Sequence, residues 1–334
     1  MEFKKIAVIG AGSWGTALAL TLSNKGHEVK IWDVNKEHVQ ELQVNRENVK
    51  YLPGIPFPDK LQPVAAVKEA LEDAQVVLFS APAQHFRSAL DNALPFISQD
   101  MIIINVAKGI EQKTLKRMSE IARDKMSNMK YVVLSGPSHA EEVGLGLPTT
   151  VVVASTDIKL AEYVQDIFMT DKFRVYTNSD VIGVEIGGAL KNIIALGAGI
   201  SDGMGYGDNA KAAMMTRGIA EIARLGVKLG ADIHTFSGLT GIGDLVVTCT
   251  SMHSRNRRCG ILIGEGMKPK EATKKVGMVV EGMYTTEAAY ELAKREGVEM
   301  PITEGIYAVI NDKIDARDAV NQLMTRDKKS EIMF

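Results

Sequence analysis

Several groups of residues in this 334-residue chain have the type and spacing to act on a small anionic molecule. The first is Gly10-Ala-Gly12-Ser13-Trp14-Gly15, with an apolar run of strand length before it and a helix-like pattern starting just past Ser13. Each glycine of this G-x-G-x-x-G run has its own task. Gly10 allows a tight turn, Gly12 lets the backbone come close to a pyrophosphate, and Gly15 lets helix and strand pack. Free N–H groups and the positive end of a helix dipole then face the phosphates. A second apolar run, Glu28-Val-Lys-Ile-Trp-Asp33, ends on an acid at the remove of about 20 residues that a dinucleotide site requires. Asp33 is placed to accept hydrogen bonds from the adenosine ribose hydroxyls, which favours NAD. Val34 and Asn35 follow it where basic residues would clasp a 2′-phosphate, and Lys36 is the nearest candidate.

Further along, Val184-Glu185-Ile-Gly187-Gly188-Ala-Leu-Lys191-Asn192 puts two glycines on the helix face of a lysine. Helix-interior glycines cost roughly 1 kcal/mol each relative to alanine, so something bulky must approach. Two readings stay open: helix packing with Lys191 reaching out to solvent, or a lysine on the floor of a cleft with Asn192 beside it. Ser254-Arg255-Asn256 offers hydroxyl, guanidinium and amide donors at the start of a helix, a set that suits phosphate oxygens. A solvated basic patch is the plainer alternative. Asp244, inside the glycine-dense Gly238–Thr250 segment, either tunes a lysine or caps a helix. Glu281 is either an acceptor behind the site or a surface carboxylate.

The elements that must position these groups are legible as well. Buried strands are expected at Val76–Ser80, Ile102–Val106 and Tyr131–Leu134, ended by Ala81-Pro82, Ala107-Lys108-Gly109 and Ser135-Gly136-Pro137-Ser138. Alternation with helical stretches, one to about Arg46 and one from Gln84 to Leu94, implies βαβ units and a parallel sheet covered on both faces. Ligands of such sheets lie beyond the carboxyl ends of the strands, so Lys108, Gly136 and Ser138 should converge with the glycine loop. Thr149–Ala154 and Phe173–Tyr176 extend the sheet. Tyr51–Pro58 reads as a proline-punctuated loop without regular structure, and Ser201–Asn209 as a second loop. From Val181 onward the patterns are helical. The expected architecture is α/β: a Rossmann-type, mostly parallel sheet domain over residues 1–180, then an all-helical substrate-binding and catalytic domain over 181–334.

A net charge of −2 with 24% charged residues fits a soluble protein without general attraction to nucleic acid or membrane. No apolar run is expected to reach the length of a membrane span. Lys4-Lys5 before an apolar stretch superficially resembles a signal peptide, but Gly10, Gly12 and Gly15 break the stretch at once. Cys249 and Cys259 make neither a disulfide framework nor a metal site, and the six histidines form no ligand-spaced cluster. No metal is expected, and a reducing cytoplasm is the natural compartment.

Taken together, Gly10–Ala17, Tyr51–Gly54, Lys108-Gly109, Ser135–Val143, Glu185–Asn192, Gly238–Asp244, His253–Asn256 and Val280–Gly282 resemble, in order and nearly end to end, the bacterial NAD(P)-dependent glycerol-3-phosphate dehydrogenases. The resemblance implies oxidation of sn-glycerol 3-phosphate to dihydroxyacetone phosphate and the physiological reverse, with NAD(H) and/or NADP(H). It implies Lys191 as proton acceptor, Lys108 touching both ligands and Asp244 in the substrate site. Gly136, Ser138, Ser254, Arg255 and Asn256 would bind substrate, while Ser13, Trp14, Ala140, Arg255, Val279 and Glu281 would line the cofactor. A homodimer and a product feeding glycerophospholipid synthesis belong to the same expectation. Val34-Asn35 departs from the basic residue many relatives carry there, which tilts the reading toward NADH being accepted. Partial desolvation and a neighbouring Lys108 should lower the Lys191 pKa toward neutrality. β-Hydroxyacid dehydrogenases share the plan and a helix lysine, but Ser254-Arg255-Asn256 argues against them. A dinucleotide-sensing regulator would need neither Lys191 nor Lys108.

Overall fold

The computed structural model describes residues 3–328 and 330–331. Its strands, in chain order, are β1 Lys5–Ile9, β2 Glu28–Trp32, β3 Glu47–Asn48, β4 Leu52–Pro56, β5 Leu61–Pro63, β6 Val76–Phe79, β7 Ile102–Asn105, β8 Lys130–Ser135, β9 Thr149–Ala154 and β10 Phe173–Asn178. Eight of them form one sheet in the order β10-β9-β8-β7-β6-β1-β2-β5. Neighbours run parallel except for the antiparallel pair β8 and β9. A parallel sheet with crossover helices has no solvated face, which is why β6 and β7 are buried at every position. The chain winds outward from β1 through β2 to β5 and then returns to place β6 on the other side of β1. That reversal is where a crevice opens beyond the strand ends.

The sequence reading is corrected in four places. Leu52–Pro56 is a strand, paired antiparallel with Glu47–Asn48, and its prolines are tolerated because a two-stranded ribbon leaves edge positions free. β5 adds a parallel edge strand beside β2 that is too short to carry a periodic signal. The stretch Ser201–Asn209 is mostly helical: one helix runs Val181–Gly203 and the next begins at Gly207. The fourth concerns membrane-span length: by length and hydropathy Val181–Gly203 does match a span, but 94% of its most apolar window is buried inside the protein.

Beyond β10 the described elements are all helical. The Val181–Gly203 helix is their axis, and its closest neighbour is the Arg255–Gly264 helix. Gly199 and Gly203 on the first meet Gly260 and Gly264 on the second. A Cβ at Gly199 would collide with the Arg257 carbonyl oxygen, and one at Gly260 with that of Leu196. Gly203 and Gly264 stand in the same relation to Ile261 and Ile200. Small residues four apart on both helices let the backbones touch. Gly260→Ala should therefore lower the stability to chemical denaturation by at least about 1–3 kcal/mol, because a backbone carbonyl cannot rotate away as a side chain can. Equal midpoints for variant and parent would show that the helices are not in backbone contact.

Candidate active site

The glycine loop is held in place before any ligand arrives. Gly10 has φ +111°, a left-handed conformation, and a Cβ there would lie 2.9 Å from the Ser80 carbonyl carbon. A Cβ on Gly15 would collide with the Gly10 carbonyl oxygen. At Gly12 an added Cβ would meet nothing within 4 Å, so the backbone faces open space. The Ala11 peptide is fixed from both ends. Its N–H donates to Asp33 Oδ2 at 2.9 Å, and its carbonyl accepts from Asn48 Nδ2 at 2.9 Å, with His38 Nε2 at 3.1 Å. Asn48 also donates to Thr16 Oγ1 at 2.8 Å. Asn48 and His38 had not been singled out in the sequence, since both lie outside the glycine motif.

Two clefts meet at this loop. The larger, about 740 Å³, is lined by Gly10, Gly12, Asp33, Val34, Trp32, Tyr51 and Pro82 on one wall and by Thr273, Lys274 and Gly277 to Glu281 on the other. The smaller, about 180 Å³, holds Trp14, Lys108, Ser138, Ala140, Lys191, Ser254 and Asn256. Ser13, Arg255, Met278, Val279 and Glu281 line both, so the clefts are continuous. An elongated ligand lying from the β2 end to Lys191 fits this shape. The open face of Gly12 and the orphaned, buried Glu281 Oε2 and Trp14 Nε1 are what a dinucleotide site requires.

At the inner end stands Asp244, 1% exposed, between two lysines. Lys108 Nζ donates to its Oδ2 at 2.7 Å and to the Gly136 carbonyl at 2.9 Å. Lys191 Nζ donates to Asp244 Oδ1 and to Thr248 Oγ1, the latter at 2.7 Å. The Thr248 hydroxyl donates in turn to the Asp244 carbonyl at 2.6 Å. Each ammonium thus has two N–H groups committed to protein, and the third is left for the cleft both lysines line. Burial pulls the Lys191 pKa down to about 8; Asp244 opposes this and Lys108 reinforces it. Burial alone would push the Asp244 carboxyl up, but the two ammoniums together hold it below the usual range.

The glycines before Lys191 are explained by close packing against β8 and the segment that carries Thr240. A Cβ on Gly188 would lie 2.6 Å from Ser135 Oγ, so the missing side chain lets the helix pack against the end of β8, and Lys108 Cγ stands in ordinary contact range at 3.6 Å. A Cβ on Gly187 would press on the Thr240 carbonyl oxygen at 2.8 Å. Lys191 itself is 6% exposed and faces the cleft instead of reaching out to solvent.

Ser254 caps the Arg255–Gly264 helix by accepting from the Arg257 N–H at 3.2 Å. The Asn256 amide donates to Asn192 Oδ1 at 2.9 Å and accepts from the Gly282 N–H at 2.8 Å. It therefore ties the lysine helix, the arginine helix and the start of the Glu281–Glu296 helix together. Among the described residues no group is hydrogen-bonded to the Arg255 guanidinium, whose pKa burial lowers while Glu281 opposes the shift. Arg257 is the structural arginine, donating to Asp202 Oδ2 and the Thr250 carbonyl at 2.8 Å. Glu281 is half-buried, not a surface carboxylate: its Oε2 is shielded from solvent, its Oε1 accepts from the Ala83 N–H at 3.1 Å across the two regions, and desolvation raises its pKa. Ser138 donates to the Gly136 carbonyl at 2.9 Å, and Gly136 needs its φ of +126° with Val151 Cα against it.

Thr248 was missed in the sequence, though its place one helical turn after Asp244 is a signal in retrospect. Replacing Asp244 with Asn removes the shared counter-charge. The midpoint for deprotonating Lys191, followed by amine-reagent labelling against pH, should then fall below about 8. A midpoint unchanged or raised would show that Asp244 does not stabilise the ammonium.

Residues 5–161 match the family model for the NAD-dependent glycerol-3-phosphate dehydrogenase N-terminus, and residues 180–321 the model for its C-terminus. The glycerol-3-phosphate dehydrogenase [NAD(P)+] of Clostridium acetobutylicum is 54% identical over 329 residues, covering 98% of this chain and 99% of that one. A crystal structure of glycerol-3-phosphate dehydrogenase from Coxiella burnetii superposes with a TM-score of 0.94 at 40% identity, covering 97% of this chain and 99% of that chain. D-mandelate dehydrogenase with NADH and anilino(oxo)acetate, at 18% identity and a TM-score of 0.66 over 94% of this chain and 99% of that one, shares the fold alone. With both halves of its length matched in order around a cleft that joins a glycine loop to a buried lysine pair, this chain belongs to the NAD(P)-dependent glycerol-3-phosphate dehydrogenase family.

Proposed function

We propose that the chain interconverts sn-glycerol 3-phosphate and dihydroxyacetone phosphate with Lys191 as the group that takes and returns the proton. The observation that carries this reading is the hydrogen bonding of Lys191 Nζ. Two of its positions are committed to Asp244 and Thr248, and one is turned to the cleft. In the neutral amine the two N–H bonds stay with these acceptors, so the lone pair points where a substrate hydroxyl would stand. Bound nicotinamide supplies the hydride acceptor or donor. Lys191 removes the hydroxyl proton as the alcohol is oxidised and returns it to the oxygen in reduction. Lys108, with its free N–H on the same cleft, stabilises negative charge on that oxygen. Arg255 and the N-terminus of its helix hold the phosphate, which fixes the distance from carbon to nicotinamide. Asp244 and Thr248 act on Lys191 and not on the substrate carbon.

The same reading includes a homodimer, whose mass sedimentation would measure. It also includes a reducing cytoplasm, supported by two buried free cysteines, and a product supplied to glycerophospholipid assembly.

Lys191→Ala should lose about 10²–10⁴ of kcat with KM roughly kept, because general catalysis is worth that much. Arg255→Ala should chiefly raise KM for the phosphorylated substrate, by about tenfold or more. The reverse assignment of effects would sink this division of labour. The pH dependence follows from a lysine pKa of about 8. Oxidation needs the neutral amine, so its rate should climb with pH and level off above about 8; reduction needs the ammonium and should decline above the same point. Parallel profiles in the two directions would exclude Lys191 as the titrating group.

A further inference from the structure

We infer that the end of β2 makes this chain selective for the dinucleotide with a free adenosine 2′-hydroxyl over the 2′-phosphorylated one, and that the glycine loop locks this preference. The inference rests on the dinucleotide reading of the cleft and names which of the two cofactors it takes. Asp33 lines the large cleft, and both its oxygens are held by backbone: Oδ2 by the Ala11 N–H at 2.9 Å and Oδ1 by the Asn35 N–H at 3.0 Å. Each oxygen keeps a lone pair for a ribose hydroxyl. A 2′-phosphate, carrying about −1.5 to −2, would meet a carboxylate that cannot turn aside without breaking both bonds. Nor can the Ala11 peptide yield, since Asn48 and His38 hold its carbonyl.

Nothing on the same element offsets this charge. Val34 is exposed and lines the cleft, and the Asn35 side chain is committed to capping the next helix by accepting from the His38 N–H at 3.1 Å. Lys36 is exposed in the first turn of that helix with Glu37 directly after it. The buried His38 faces Glu41 at 3.7 Å. The basic groups on the facing walls are His85, Arg255 and the exposed Lys274, with the Glu281 carboxylate and the phenols of Tyr51 and Tyr284 lining the same cleft. Arg255 also lines the inner cleft, which leaves His85 and the single point charge of Lys274, and neither offers the bidentate fork that suits a phosphate.

Fluorescence titration of the full chain with NADH and with NADPH tests this, with steady-state kcat/KM for both as a second readout. The parent should bind NADH about 100-fold more tightly at low salt. Val34→Arg alone should narrow the ratio by less than about tenfold, because the locked carboxylate remains. Asp33→Asn, which keeps an acceptor for the Ala11 N–H but not the charge, should narrow it by more than about tenfold, with circular dichroism checking the fold. A parent ratio within about tenfold, or parity reached by Val34→Arg alone, would overturn the inference, and both measurements stand if Asp33→Asn fails to fold. Selective NADH binding without turnover of dihydroxyacetone phosphate would overturn the proposed activity and leave this inference intact. Equal binding of both cofactors with full turnover would do the opposite.

Discussion

A carboxylate as deeply buried as Asp244 persists as an anion only if cations come to it, and here two do. The rest of the site follows from meeting that requirement. Lys108 arrives from the turn after β7, Lys191 from the middle of the long helix, and Asp244 from the first turn of a third element, Asp244–Thr250. No one of these groups is positioned by its own backbone alone. One acid shared by two amines leaves the Asp244 cluster itself with positive charge in excess, a setting in which an oxyanion beside the two amines is welcome. Separating the sheet region from the helical region would therefore do more than open a cleft; it would strand a charge.

The glycine crossing between the Val181–Gly203 and Arg255–Gly264 helices does the geometric part. With backbones in contact there is no slack in the distance between the lysine and the helix start that carries Ser254, Arg255 and Asn256. Asn256 closes the same gap from the side through Asn192 and Gly282. Glu281 then anchors the third helix to the turn after β6 through the Ala83 N–H. The sheet contributes its switch point, and the helical region contributes a rigid opposite wall.

Much of this was legible in the residues and some was not, for separable reasons. The glycine loop, Asp33 and the strand-end turns announce themselves because backbone geometry restricts which residue types can stand there. Lys191 stayed ambiguous because two helix glycines point equally to packing and to a cleft, and both turned out to be present. Asp244 is not the cap the alternative reading made it: Gly243 holds that position, and the Asp244 carboxylate binds two lysines, which no local pattern encodes. The hairpin at Glu47–Pro56 and the edge strand at Leu61–Pro63 were missed because two- and three-residue pairings carry no periodicity. Asn48, which holds the Ala11 carbonyl, belongs to that same missed hairpin.

The order in which the chain is synthesised gives the buried axis helix one more consequence. Val181–Gly203 is complete roughly 60 residues before the Arg255–Gly264 helix that covers its glycine stripe has been made, an interval of several seconds at roughly 5–20 residues per second. During that interval the ribosome displays a segment that, by length and hydropathy, resembles cargo for membrane insertion. Lys191 stands at the middle of that segment, where an ammonium disfavours entry into lipid. The lysine that lines the cleft is thus also a cost to any placement of this helix in lipid.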